Sequence, residues 1–408
     1  MRFPLKTTLK IAGHIIKHKI LRTPKFAMVL QLEPLHTCNL ACTGCGRVRE
    51  YSTKLSDRMS LEACLDAANQ CNAPMVSICG GEPLLYPEIG ALVEGLLAQK
   101  RIVYICTNAI LLCDTLKKYM AAVYTPAMEP QLKEFVQQEL IDAADIETIR
   151  KGTAEKVIRP NWRTYWNIHL DGMEKTHDMI VERKGTFRKA IRGIRLAKAL
   201  GYNVATNATV YRETDMDELE KLLEYLSWIG CNGHTISPGY DYDAAKIDMA
   251  KRLGKNPDDF YLSRKQTREK FKDIKRWGQK FTLFGTAVYQ EFLAGERDLS
   301  CTAWAIPTVT PKGWRSPCYM LADTHYPTYK DLLEKTDWNK FGVTLTETRD
   351  KRCSNCMVHC GFDPSGALGV DYKSGDNWKN FKYNFAPRPP RCASGADINP
   401  FNGEPDNK

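Results

Sequence analysis

The chain is 408 residues long, 43% hydrophobic and 26% charged, with a formal net charge of +10. That apolar content supports two or three domains with their own cores and excludes a disordered chain, while the lack of any apolar run of about 18 residues excludes a membrane-spanning helix. The 15 cysteines fall in ligand-like groups along a long chain, which excludes a small disulfide scaffold and fits reduced thiols in a cytoplasm.

Residues 1–25 hold Arg2, Lys6, Lys10, Lys17, Lys19, Arg22 and Lys25 and no acid. Leu5, Leu9, Ala12, Ile16 and Ile20 recur at three- and four-residue spacing, which predicts a helix with one apolar stripe flanked by cations. Such a leader either lies on an anionic lipid surface, at the inner face of the cytoplasmic membrane, or packs on the protein's own body with its basic face in water. Nucleic acid does not fit, because no stacking platform of aromatics interleaves with the basic residues.

From residue 27 to about 240 short apolar runs alternate with helical patterns. Strands are expected at 28–34, 74–79, 102–107, 165–170, 203–210 and 233–237, with helical periodicity between several of them, as at 60–72 and 186–200. Six such units predict an α/β fold, a partial (β/α)6 TIM-like barrel. Residues 119–162 form a long insertion between the third and fourth strands, helical over 129–151, and read equally as a lid or as peripheral decoration. Beyond the barrel the expected organisation is a helical connection over 241–300, a cysteine-rich domain over 301–370 and a partly disordered tail over 371–408.

Directly after the first strand stands Cys38-x3-Cys42-x2-Cys45. Three thiolates on one loop can hold three irons of a 4Fe–4S cube and leave the fourth iron open. The competing reading is a structural zinc knuckle with His36, but no fourth ligand follows at finger spacing. After the second strand comes Cys79-Gly80-Gly81-Glu82-Pro83, and Asn108, Asp171, Asn207 and Ser237 stand at or just beyond the ends of later strands. Polar residues at the carboxyl ends of so many parallel strands mark the ligand face of such a barrel. Further on, Cys301, Cys318, Cys353, Cys356 and Cys360 form a second group, read as another 4Fe–4S cluster, a zinc site using His359, or free thiols.

The cysteine loop together with the glycine turn resembles the radical S-adenosylmethionine (SAM) superfamily. The resemblance implies that SAM chelates the open iron, that Gly80, Gly81 and Glu82 face its ammonium, that Asp171 and Asn207 lie near its ribose and carboxylate and Ile236 and Ser237 near the adenine, and that Asn108 also binds the cofactor. The Cys301-x11-Gly313-x4-Cys318 pattern is similar to auxiliary-cluster domains carried by some of these enzymes. Leu32-Glu33-Pro34-Leu35, Val103 to Ala109, Ser237 to Tyr242, Pro317-Cys318-Tyr319 and Cys353 to Gly361 resemble the adenosylhopane synthases, the radical SAM enzymes of hopanoid biosynthesis; departures are Arg47 for an expected lysine, Cys79 for proline, and the 119–162 insertion. That resemblance implies transfer of a 5′-deoxyadenosyl radical to the terminal alkene of diploptene, a hydrophobic triterpene, with electrons from a flavodoxin or ferredoxin. The tertiary carbon radical left behind needs a hydrogen atom, for which Cys106 is the expected donor and Cys79 the rival. The alternative is a radical SAM enzyme with an auxiliary cluster acting on another lipid or on a peptide.

Overall fold

The computed structural model describes residues 4–240, 243–390, 395 and 398. Six strands, β1 (Val29–Leu32), β2 (Met75–Ile78), β3 (Ile102–Thr107), β4 (Thr164–His169), β5 (Asn203–Val210) and β6 (Gly233–Pro238), pair in sequence order and all in parallel. This is the expected partial barrel, with each strand within about two residues of its expected bounds. Parallel pairing follows from the helices between the strands, which need the space of a crossover and cover the outer face. The helix Leu61–Cys71 is typical. Ser60 Oγ accepts the Ala63 N–H at its start, Asn72 closes it with φ +51°, and Cys64, Ala67, Ala68 and Cys71 make the buried stripe.

Alternation along the strands sorts the side chains into two sets. Val103 and Ile105, Trp166 and Ile168, Thr206 and Ala208, and His234 and Ile236 face the helices, as shown by the His234 hydrogen bonds to Thr206 and to Ser227 of the helix Met216–Trp228. Gln31, Ser77, Cys106, Asn167 and Asn207 therefore face the lumen.

Three further strands extend the sheet beyond β1: β7 (Thr308–Thr310), β8 (Gly313–Pro317) and β9 (Ala322–Tyr326). β7 runs parallel to β1, with Gln31 beside Thr308 and Leu32 beside Val309, and β8 and β9 follow as antiparallel hairpins. The cysteine-rich segment is thus not a detached domain but a continuation of the barrel sheet.

The 119–162 insertion folds as two helices, Glu129–Gln137 and Ala143–Arg150, broken where Glu139 takes φ +58°. Arg192 on the outer helix Thr186–Ala199 holds Asp142 at 2.9 Å, Tyr202 Oη donates to Ile158 O at 2.6 Å, and Asn203 Nδ2 donates to Asn161 O at 2.8 Å. These partners lie on the outer layer and at the amino ends of β4 and β5. The insertion is decoration, not a lid over the ligand face.

The leader forms the helix Leu5–Ile20 at that same amino end. Its packed side is Thr7, Ile11, His14 and Ile15; Ile11 and Ile15 join Phe26, Met28, Trp304 and Leu368, and His14 donates to Ala27 O at 2.9 Å. The expected stripe faces the other way, with Leu5, Leu9, Ile16 and Ile20 exposed. Of the tail, Asp376–Phe385 is a helix, and the stretch after Cys392 expected to be disordered lies, but for residues 395 and 398, outside the described residues.

Candidate active site

The cysteine loop leaves β1 at the carboxyl end of the barrel and is fixed from three sides. From behind, Arg49 laces its backbone, donating to Ala41 O at 2.8 Å, Cys42 O at 3.0 Å and Cys45 O at 3.2 Å. From the flank, Thr43 N donates to Ile180 O and Thr43 Oγ1 to Glu182, which Arg252 also holds at 2.6 Å. From above, Phe260 presses on Gly44, which has φ +81° and where a Cβ would stand 2.7 Å from the ring. Burial pushes Cys38 up to about 12 and Cys42 well above the ordinary range, and the Cys45 sulfur beside them adds to both.

The glycine turn lies directly under this loop. Gly81 N donates to Leu35 O at 3.0 Å and Glu82 N to Thr37 O at 2.9 Å. A Cβ on Gly81 would fall 2.0 Å from Thr37 O, and one on Gly80 2.3 Å from Leu35 O, so only glycine lets the two loops touch. Glu82 corrects the expectation of a carboxylate open to the cofactor. It is buried, accepting from Thr107 Oγ1 at 2.6 Å, Asn108 N at 2.9 Å and Leu84 N at 3.0 Å, and ties the turn to the end of β3. Asn108 Nδ2 in turn donates to Asn39 Oδ1 of the cysteine loop at 2.7 Å.

Below the loop, Cys106 points into the lumen. Its Sγ lies 3.1 Å from Ser77 Oγ and accepts from Asn167 Nδ2 at 3.4 Å. The β2–β3 register, continued one step, puts Cys79 beside it on the same face. Burial raises both thiols, so both stay in the S–H form near neutral pH. Asn167 Oδ1 and Gln31 Oε1 are buried without a protein partner among the described residues, leaving the lumen acceptors for a bound polar group. Tyr104 and Tyr165, stacked at 4.8 Å with Phe284 edge-on, close the floor.

At the rim, Asp171 is fully engaged: Thr209 N donates to it at 2.7 Å, and His169 Nε2 pairs with it at 2.7 Å. The group it shows to the lumen is His169, held above its ordinary pKa against burial by the Asp171 charge and by Asn207. Ser237 bonds His359 Nδ1 at 3.0 Å, and the Ile236 side chain faces the helices, leaving only its backbone toward any adenine.

The second cysteine group comes together. Cys301, Cys318, Cys353, Cys356 and Cys360 all line one cavity of about 600 Å³. Gly361 and Gly342 cradle Cys301, where a Cβ would stand 2.8 Å from its Sγ and 3.1 Å from its Cβ respectively. Leu321 N donates to Cys318 Sγ at 3.4 Å. Among the described residues no three His, Cys, Asp or Glu side chains converge as a single ion needs; a zinc ion draws its sulfurs to about 2.3 Å of one point, whereas a cube spreads its cysteines over several irons. Both groups offer soft thiols, the ligand type of iron–sulfur clusters, and His359 is turned to Ser237. Anaerobically reconstituted protein is expected to hold roughly eight irons per chain, two cubes of four; about four irons with one zinc by metal analysis would assign the second group to zinc.

The two groups are joined by a buried ionic bridge. Arg47, one turn after Cys45, pairs with Glu33 at 2.7 Å and donates to Tyr319 O at 2.9 Å, while Arg315 holds Glu50 at 2.9 Å and Cys318 O at 3.2 Å. Arg49, Ser77 and Asn167 are site residues that sequence reasoning passed over, while Arg47 stood there only as a departure from an expected lysine. The signal was present for Arg49: an arginine four residues past the last cysteine of a ligand loop has the loop carbonyls within reach.

Residues 32–226 match the radical SAM superfamily model, and residues 234–384 match a domain of unknown function (DUF3463). No curated protein matches. Among solved structures the chain is similar to Streptococcus suis SuiB bound to precursor peptide SuiA, at 14% identity over 74% of this chain and 62% of that one, with a TM-score of 0.46. It is also similar to anSMEcpe with bound AdoMet, at 16% identity over 87% and 99% with a TM-score of 0.48, and to TYW1 with a lysine-pyruvate adduct bound, at 14% over 65% and 81% with a TM-score of 0.36. The chain thus spans 62% of the length of SuiB.

Proposed function

We propose, for a chain whose residues 32–226 form a radical SAM domain, with its 4Fe–4S cluster and SAM, that the enzyme adds a 5′-deoxyadenosyl group to the terminal alkene of diploptene to give adenosylhopane. The observation that carries this reading is the half-buried Cys106 thiol in the lumen below the cysteine loop, because the carbon radical left by addition to an alkene becomes a closed-shell product by taking one hydrogen atom, which a thiol supplies. Cys38, Cys42 and Cys45 would hold the cluster, and the Gly80-Gly81 turn with Asn108 shapes the place for SAM. When bound, the cluster and SAM supply the adenosyl radical by one-electron cleavage of the sulfonium.

The rest belongs to the chain. Ser77 and Asn167 hold the Cys106 sulfur in place, and burial keeps it protonated. Its S–H bond breaks as the substrate C–H bond forms, and the sulfur radical left behind takes one electron and one proton, the electron from a flavodoxin- or ferredoxin-type donor, before the next turnover. The aromatic floor and the loops above keep water from the radical.

A second reading, an auxiliary-cluster enzyme acting on another lipid or a peptide, is favoured by the five thiols around one cavity. Anaerobic protein with SAM, reductant and diploptene separates the two: the first predicts an adduct at the mass of adenosylhopane, the second SAM cleavage without it.

A further inference from the structure

The amino end of the barrel, opposite the cysteine loop, carries an exposed apolar surface made by elements far apart in the chain. Leu5, Leu9, Ile16, Ile20 and Leu21 of the leader are 48–75% exposed, although a stable helix normally turns its apolar stripe inward. Trp162, just before β4, is also exposed and lies under Lys6 at 5.8 Å. The helix Asp376–Phe385 reaches the same end, since Tyr383 Oη donates to Leu283 O and Leu283 bridges His234 near the start of β6. It presents Trp378 and Phe381, stacked at 5.4 Å and 57% and 47% exposed.

Along the leader the charge is of one sign, whereas the helix Asp376–Phe385 is mixed, its Lys379 paired with Glu291 at 2.7 Å. Lys6, Lys10, Lys17, Lys19, Arg22 and Lys25 stand on the leader and the turn after it, and residues 1–25 contain no acid. Lys10 is held below its ordinary pKa by burial and then by Arg101, Arg163 and Lys100, so cations crowd here without an acid among the causes. A second copy seated face to face would set this basic rim against itself, and a neutral apolar partner would leave it uncompensated. Apolar side chains within a cationic rim, with tryptophans at the margin, match the interface of an anionic bilayer.

We propose that this end of the molecule docks on an anionic lipid surface, with the leader helix lying in the headgroup plane and the cysteine-loop end facing the aqueous phase. The inference is independent of the substrate assigned above, and its test reads binding, not turnover.

Full-length protein is sedimented with vesicles of phosphatidylcholine alone, or with roughly a third phosphatidylserine. Binding to the anionic vesicles is expected to be at least about tenfold tighter, and to weaken as salt shortens the screening length from about 10 Å at 0.1 M to about 3 Å at 1 M. Leu9→Glu with Ile16→Glu changes only exposed positions and is expected to weaken binding by at least about tenfold, with Trp378→Ala a smaller loss and SAM cleavage unchanged. Equal binding by the double variant, or equal binding to both vesicle types, would overturn the proposal. So would wild-type protein that dimerises without lipid and becomes monomeric in the double variant, since the occupant would then be a second copy.

Discussion

Cys42→Ala protein, reconstituted anaerobically with iron and sulfide, is expected to lose about four irons per chain and all measurable SAM cleavage. The loop offers no substitute ligand: His36 is buried against Glu33 at 3.0 Å and stacked on Tyr51, and Asn39 is taken by Asn108. Cys38→Ala and Cys45→Ala should behave alike, because a cube held by two thiolates is open at two corners. Fold loss is not the cause expected, since Arg49 grips the loop by its carbonyls and not its sulfurs, so circular dichroism should match wild type. Cys113→Ala, on the helix Leu112–Ala122, is the control and should keep both irons and cleavage. SAM cleavage retained by any of the three loop variants would sink the cluster assignment.

Cys106→Ala is expected to alter the product and not only its rate. As a packing change the substitution removes one half-buried sulfur and costs on the order of 1 kcal/mol, which predicts normal product made more slowly. If Cys106 is the hydrogen-atom donor, SAM is still cleaved and the adenosyl–carbon bond still forms, but the radical is quenched from solvent or reductant, giving mixed configuration at the new tertiary centre or a shunt product. Cys106→Ser should not restore the single configuration, because an O–H bond is too strong to give up its hydrogen atom to a tertiary carbon radical, although serine keeps the contacts to Ser77 and Asn167. Product of one configuration from Cys106→Ala, read by NMR of the isolated adduct, would move the donor to Cys79.

What the sequence made legible was local. β-Branched and aromatic runs placed six strands because each pairs with its neighbour in order, and the cysteine and glycine motifs were readable because close approach permits no other residue. Three things depended on distant contacts. Glu82 is an acid beside a ligand turn, and only the position of Thr107 and the Asn108 N–H turns it inward. The leader's periodicity gave its helix, but two candidate faces were available, and Ile11 and Ile15 of the less apolar one meet Phe26, Met28 and Trp304 while His14 reaches Ala27 O. Asp171 and His169 are two residues apart, and nothing local says which of them meets the lumen until Thr209 claims the carboxylate.

The β1–β7 pairing bears on how the protein is made. β1 delivers the chain to the cysteine loop, yet its second edge stays bare until β7 emerges, about 70 residues after β6 is complete. At roughly 5–20 residues per second on the ribosome, that edge waits for tens of seconds after β1 is made. An unpaired Val-Leu-Gln-Leu strand is a template for a wrong partner in the meantime. The leader helix meets Phe26 and Met28 early, but its remaining partners, Trp304 and Leu368, are made with β7 or after it, so the leader and the sheet edge are completed together.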